Sequence, residues 1–134
     1  MSAVNRAVPP ALVLTLNMIP LTSVSSGNAR YGHWARQHRA MRDEKAAWYW
    51  ELLKMLNALP GKRPRYERLK VNVTIVYSVK RHVDQDNLQA ALKPLWDAMV
   101  DLNVVPDDDM EHLTVERPVV VIDAARTPAT VLEL

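Results

Sequence analysis

Residues 69–99 have the sequence LKVNVTIVYSVKRHVDQDNLQAALKPLWDAM, in which a strand-like run is followed by a polar turn and then a helix-like run. Between Leu69 and Val79, β-branched and aromatic side chains alternate with other residues at a period of two, which is typical of a β-strand. The alternating set is Val71, Val73, Ile75 and Tyr77. This stretch therefore predicts a strand and helix joined by a turn that carries Asp84 and Asp86.

The helix-like run shows a spacing of three and four residues. We expect Asp86 to be the N-cap and the helix to reach about Leu102. Its buried stripe is predicted to be Leu88, Leu92, Leu95 and Met99. A second face at the same spacing carries Asp86, Ala90, Lys93 and Asp97. Pro94 lacks the N–H group that would bond to the carbonyl of Ala90, so a kink is predicted there.

The remaining segments predict a single α+β domain. Residues 11–18 and 69–79 are predicted strands, and residues 31–59 are a predicted helix that Pro60 and Gly61 end. Residues 113–124 and 129–134 are predicted to form a final hairpin. The element order β-α-β-α-β-β indicates one mixed β-sheet with two main helices. We expect residues 1–10 to be a flexible tail and residues 11–134 to be the domain.

Composition limits the chemistry that the chain can perform. The 134 residues include no cysteine, which excludes disulfides, zinc–thiolate sites and thiol nucleophiles and is consistent with a reducing cytoplasm. Prolines interrupt the apolar residues 7–21, so these residues are not expected to be a signal peptide. No apolar stretch approaches the roughly twenty residues of a membrane span.

Carboxylates occur in two groups, Asp84-Gln85-Asp86-Asn87 and Asp107-Asp108-Asp109. If the sheet brings the groups together, the carboxylates would repel one another unless a cation neutralised them. Hard oxygen ligands suit Mg²⁺ or Mn²⁺, and the Asn87 amide could hold a ligating carboxylate in place. The alternative is an acidic turn that only caps a helix. A calcium loop of the EF-hand type is excluded because the glycine and the third acid are missing.

Basic residues form two zones although the formal net charge is only +2. A basic surface beside an acidic pocket is what a metal-dependent nuclease needs, whereas the alternative is an ordinary solvated surface. The candidates for phosphate contacts are Arg30, His33, Arg36, Arg39, Lys62, Arg63, Arg65 and Arg81. Such contacts would position DNA without reading its sequence.

The chain resembles the RusA-type Holliday junction resolvases, which are common in phages and prophages. The motifs are Asp84-x-Asp86-Asn87-Leu88, Lys93-x-x-x-Asp97-Ala98-Met99, Val104-Val105-Pro106-Asp107-Asp108 and Asn28-Ala29-Arg30-Tyr31-Gly32-His33-Trp34-Ala35-Arg36. The resemblance covers most of residues 11–134. It implies a homodimeric, Mg²⁺-dependent endonuclease, active in the cytoplasm, that binds four-way DNA junctions and nicks two strands symmetrically. It further implies that Asp84, Asp86 and Asp108 bind the metal, with Asp107 and Asp109 as alternatives to Asp108.

One position departs from the family pattern. Well-known members place a lysine four residues after the second aspartate, where this chain has Ala90. Lys93 could take that role and stabilise charge on the phosphate or the leaving oxygen. It could equally form an ordinary helical ion pair with Asp97. The sequence leaves both interpretations open.

The sequence is therefore consistent with three functions: a junction-resolving nuclease, a branched-DNA-binding protein without catalysis, and a structural domain with an acidic helix cap. Trp34 is the tryptophan that could stack on a base, because it lies in a basic segment.

Overall fold

The computed structural model describes residues 12–20, 34–80 and 84–134. These residues contain five strands and three helices. The strands are β1 (Val13–Leu16), β2 (Leu69–Tyr77), β3 (Leu113–Val115), β4 (Val119–Ile122) and β5 (Ala129–Glu133). The helices are α1 (Trp34–Asn57), α2 (Gln85–Ala91) and α3 (Lys93–Asp101). The prediction of an α+β fold with one mixed sheet is confirmed.

The sheet is built around β2. Strand β5 pairs antiparallel with one side of β2, and β1 pairs antiparallel with the far side of β5. Strands β3 and β4 both pair in parallel with the other side of β2. The predicted hairpin between the last two strands is therefore wrong, since β4 and β5 lie on opposite sides of β2.

The predicted strand 113–124 is also divided. Leu69 pairs with Leu113 whereas Thr74 pairs with Val119, so β2 advances five residues while the neighbouring chain advances six. The extra residue falls in the segment that contains Pro118, whose ring removes a hydrogen-bond donor from the ladder. The result is a bulge between β3 and β4.

The predicted single helix from Asp86 to about Leu102 is divided into two helices, and the division lies beside Pro94, where a kink was predicted. Helix α2 ends at Ala91 and α3 begins at Lys93, with Leu92 between them. The backbone N–H of Leu95 donates to the Leu92 carbonyl at 2.9 Å, a tight turn that precedes normal α-helical bonding. The predicted stripe of Leu88, Leu92, Leu95 and Met99 is fully buried.

The core lies between the helices and one face of the sheet. Helix α1 packs against α3 and against β1. The side chains that fill this layer are Trp48, Leu52 and Leu56 of α1, Leu95 and Met99 of α3, and Leu16, Val73, Ile75 and Leu132 of the sheet. Burial of these apolar groups is the main favourable contribution to the packing of the helices on this face of the sheet.

Candidate functional site

The segment before β2 and the segment before β3 lie side by side at one end of the sheet. The backbone N–H of Tyr66 donates to the Val104 carbonyl at 2.8 Å, and that of Leu69 donates to the His112 carbonyl at 2.8 Å. We call residues 62–68 the basic loop and residues 107–112 the acidic turn. Because β2 and β3 run in parallel and begin at the same end of the sheet, these two bonds hold the basic loop beside the acidic turn.

The end of α3 sets where the acidic turn begins. Asn103 has a φ of 61°, the left-handed conformation found just after many helices. The N–H of Asn103 donates to the Val100 carbonyl at 3.0 Å, and that of Val104 donates to the Met99 carbonyl at 2.9 Å. This pair of bonds is a Schellman motif, and the buried Val104 side chain anchors it. The chain leaves the helix in a defined direction toward Pro106 and Asp107.

Hydrogen bonds inside the acidic turn hold two of its carboxylates. One oxygen of Asp107 accepts from the Asp108 backbone N–H at 2.7 Å. One oxygen of Asp109 accepts from the His112 backbone N–H at 3.0 Å and lies 2.7 Å from His112 Nδ1. The hydrogen bond from the His112 ring lowers the pKa of Asp109 below its usual value and raises the pKa of His112 above its own.

Lys93 connects α3 to the acidic turn. Its Nζ lies 2.9 Å from an Asp97 oxygen and also hydrogen-bonds Oδ2 of Asp108. The bond to Asp108, followed by the bond to Asp97, raises the pKa of Lys93, and the same Lys93 contact lowers the pKa of Asp108. The helical ion pair with Asp97 is present, but Lys93 also reaches an aspartate that the family resemblance implicates. Two residues of the predicted catalytic set are thus in contact.

Asp84 lies at the other end of the helical connection. It is the N-cap of α2, and its Oδ1 accepts from the backbone N–H groups of Asp86 at 2.8 Å and Asn87 at 3.4 Å. The prediction of Asp86 as the N-cap is therefore wrong, because the helix begins two residues earlier than expected. Asp86 instead lies in the first helical turn, where a carboxylate also complements the helix dipole.

Gln85 ties the start of α2 to the bulge between β3 and β4. Its Nε2 donates to the Pro118 carbonyl at 3.4 Å. Sequence reasoning missed this residue, because its partner lies 33 positions away and no local pattern pairs the two. This contact places the start of α2 beside the segment between β3 and β4.

Three side chains of the acidic turn form a candidate metal-binding group. The ligand atoms of Asp109, Glu111 and His112 lie within 4.8 Å of one another. Among the described residues, this is the one group of three acidic or histidine side chains close enough to share a metal ion. The group does not include Asp84, Asp86 or Asp108. Asp84 and Asp86 lie at the start of α2, after β2, whereas Asp108 lies before β3 and beside the start of β2, so the structure does not bring the three carboxylates together. Their assignment as ligands stays a prediction. Sequence reasoning missed His112, although an aspartate three residues before a histidine in an acidic turn was a readable signal.

The two sets of candidate ligands suit different cations. Asp84, Asp86 and Asp108 supply only carboxylate oxygens, which Mg²⁺ and Mn²⁺ prefer, and the capping contact of Asp84 uses one of its two oxygens. Asp109, Glu111 and His112 add an imidazole nitrogen, which suits transition metals better than Mg²⁺. The donor chemistry of the first set fits the ion that the sequence predicts.

The predicted DNA contacts are distributed unevenly. Arg65 is exposed at the basic loop, as are Lys62 and Arg63, and the Arg63 guanidinium donates to an Asn57 side-chain oxygen at 2.6 Å. Arg39 is exposed on α1. Arg30, His33 and Arg81 lie outside the described residues, as does the predicted tail, and for Arg36 and Trp34 only the helical backbone is described.

Two open cavities flank the acidic turn. The first, of about 430 Å³, is lined by Arg65, Tyr66, Glu67, Asn103, Val105 and Pro106. The second, of about 480 Å³, is lined by residues that include Arg68, Met110 and His112. Each cavity therefore combines an arginine of the basic loop with residues in or next to the acidic turn.

Comparison with known proteins adds no assignment. The sequence matches no model of a known protein family, and no curated protein matches it at a significant level. Among the described helices, none is both long and apolar enough to cross a membrane.

Proposed function

We propose that this chain is a metal-dependent endonuclease of the RusA type that resolves four-way DNA junctions in recombination and repair. The observation that carries the proposal is the contact between Lys93 and Asp108 beside the basic loop. A carboxylate, a lysine and exposed arginines at one edge of a sheet supply metal ligation, charge stabilisation and phosphate binding in one place.

The proposed roles follow from the chemistry of each side chain. By the family resemblance, Asp84, Asp86 and Asp108 would hold Mg²⁺, with Mn²⁺ as a substitute, and Asn87 would orient a carboxylate. Because Asp84 and Asp86 lie at the start of α2 whereas Asp108 lies beside the start of β2 in contact with Lys93, a shared ion would require the acidic turn and the start of α2 to move together. The ion would polarise the phosphoryl group and activate a water molecule. Lys93 carries a proton and a fixed positive charge across the physiological pH range, so it would stabilise negative charge on the phosphate or the leaving oxygen.

The basic loop supplies the surface on which DNA would lie. Arg65 is exposed, and no ion pair of Lys62, Arg63 or Arg65 occurs within the described part of the chain. Free cations next to a carboxylate site would attract the phosphate backbone in a salt-dependent way. Two symmetric cuts in one junction would require two copies of the site, so we propose a homodimer that acts in the cytoplasm of a bacterium or of a phage-infected host.

A second function has a specific observation in its favour. The positive charge of Lys93 already compensates Asp108, so this carboxylate does not require a cation for neutralisation. A protein that binds branched DNA without cutting it would be consistent with this contact and with Ala90 at the family's lysine position.

The test is cleavage of a labelled four-way junction by the full chain in Mg²⁺, Mn²⁺ or EDTA, with a linear duplex of matched sequence beside it. We expect paired nicks that require the metal, spare the duplex and disappear in Asp86→Asn and Asp108→Asn. Asp123→Asn is the matched control, because Asp123 is a carboxylate in the turn after β4, where it accepts from the Ala125 backbone N–H at 3.0 Å.

The outcomes separate the two functions. Junction binding without nicks in either metal would favour the binding protein. Absence of both binding and cutting would contradict both functions and leave the carboxylates as structural groups.

A further inference from the structure

The cavity between the basic loop and the end of α3 has the chemistry of a base-binding site. Its volume of about 430 Å³ lies within the range of about 300–1,000 Å³ that is usual for small-molecule sites. An aromatic residue, Tyr66, and two apolar residues, Val105 and Pro106, line it together with one amide and two charged groups. A planar ring with polar edges fits this combination better than an aliphatic ligand would.

The walls of the cavity are held in place before any ligand arrives. Tyr66 is fixed by its backbone bond to Val104 and packs partly against the hydrophobic core. The backbone of Asn103 is fixed by the Schellman motif at the end of α3. Because neither residue depends on a long flexible segment, the cavity would lose little entropy when a ligand binds.

The polar groups at the cavity match the parts of a nucleotide. The Asn103 amide offers both a donor and an acceptor to the edge of a base, and Glu67 offers an acceptor. Arg65 offers a cation for a phosphate at the open side. Asp107 follows Pro106 directly, so the phosphate of a nucleotide in this cavity would lie close to the acidic turn.

We propose that this cavity binds an unpaired nucleobase next to the phosphate that is to be cut. The inference rests on the proposed nuclease function, and it adds a reason for a preference for branched DNA. A base inside a regular duplex is stacked and paired and would have to be extracted at a cost, whereas a branch point offers bases that are already unstacked. The cavity would select such sites by accepting the free base.

The experiment is a nuclear magnetic resonance titration of the ¹⁵N-labelled full chain with 2′-deoxyadenosine 5′-monophosphate, and separately with 2-deoxyribose 5-phosphate. We expect the nucleotide to shift the Asn103 side-chain amide and the backbone amides of Tyr66 and Glu67. The sugar phosphate, which lacks the base, should leave them in place.

Variants test the two walls separately. Asn103→Gly removes the amide but keeps a residue that adopts positive φ readily, so the fold should persist while nucleotide binding weakens. Tyr66→Leu should weaken binding about tenfold through loss of stacking, and Tyr66→Phe should retain most of it. Arg126→Ala, in the turn after β4, changes a residue that does not line the cavity, so this control variant should bind the nucleotide as the unmodified chain does.

Equal shifts with both probes would overturn the inference, because they would show a phosphate site only. No shift with either probe at millimolar concentration would also overturn it. Junction cleavage is measured on the same samples. Junction cleavage without nucleotide binding would support the nuclease proposal and overturn the base-binding site. Nucleotide binding without junction cleavage or junction binding would show a nucleotide site and overturn the nuclease proposal, and with it the placement of the base next to a phosphate to be cut.

Discussion

The two ends of β2 hold their carboxylates in different ways. At the end where β2 begins, Asp108 contacts the side chain of Lys93, which lies 15 positions earlier in the chain. Beyond the end where β2 stops, Asp84 contacts the backbone N–H groups of the next residues of its own helix. The first contact requires the tertiary structure, and the second would form wherever this helix begins.

The difference bears on which carboxylates are candidates for chemistry. The capping contact of Asp84 is accounted for by the stability of its helix, and it uses one carboxylate oxygen. The Lys93 side chain is 59% accessible and that of Asp108 is 24% accessible, so solvent screens the pair in part and its contribution to stability is expected to be no more than about 1 kcal/mol. A charge pair of so little structural value next to a basic loop is a stronger indication of function than the cap.

The largest expected effect would come from removal of Lys93, the first residue of α3, which contacts Asp108. Under the proposed function, Lys93→Met should lower the junction-cleavage rate by about 10²–10³-fold, because a charge that stabilises the transition state is lost. Asp97→Asn, which removes the helical partner alone, should change the rate only slightly. Single-turnover nicking of a labelled junction measures both. Equal losses in the two variants would indicate that the ion pairs act only on structure.

A smaller effect is expected at the other end of β2. Asp84→Ala should lower the free energy of unfolding by about 1 kcal/mol, because α2 loses its cap, whereas Asp84→Asn should keep most of the stability. Urea denaturation of the two variants measures the difference. If Asp84 also binds the metal, Asp84→Asn should still abolish metal-dependent nicking. Equal stability of the alanine and asparagine variants would contradict the capping role.

The pH dependence of Asp108 offers a finer test of the first contact. Lys93 holds the pKa of Asp108 below its usual value of 3.8, so the contact stabilises the folded state above that pH. The stabilisation is lost as the pH falls through the lowered pKa of the folded state. In Lys93→Met the pKa of Asp108 should rise toward its usual value. Carboxyl-carbon chemical shifts titrated with acid measure it, and an unchanged pKa would show that the contact does not persist in solution.

The smallest expected effect concerns His112 in the acidic turn. Its hydrogen bond to Asp109 raises the pKa of His112 above 6.5, so any stabilisation is complete below that pH and disappears as the pH rises through the raised value. Asp109→Asn should return the His112 pKa toward 6.5, as proton chemical shifts of the ring would report. Zn²⁺ added to the metal-free chain should broaden or shift the same signals if Asp109, Glu111 and His112 bind a cation. Signals insensitive to both changes would leave this group without a role.

Local pattern predicted the elements well where burial is regular. The alternation in β2 and the stripe of Leu88, Leu92, Leu95 and Met99 are both as expected, because one face of each element is buried along its full length. The interruption near Pro94 was also predictable, since the missing N–H is a property of the residue itself. The N-cap was misplaced because Asp84 and Asp86 are equally good caps in isolation.

The arrangement of the last three strands was not predictable in the same way. Glu116, Arg117 and Pro118 interrupt the apolar residues of the predicted strand 113–124, so the division into β3 and β4 had a local signal, but nothing local indicates that β2 would separate β4 from β5. Strand order depends on which edges remain free once the helices have packed, which is a property of the whole sheet. The Gln85 contact and both cavities depend on that order and were missed with it.

By itself, the sequence determined the helices, the central strand, the α+β class and the presence of two acidic groups and a basic loop, because each of these follows from side chains within a few positions of one another. Only the tertiary structure decided that Lys93 meets Asp108, that the basic loop lies against the acidic turn and that a cavity forms between Tyr66 and Asn103. Those contacts join residues far apart in the chain, and they form because β2 and β3 start at the same edge of a sheet whose strand order the core imposes.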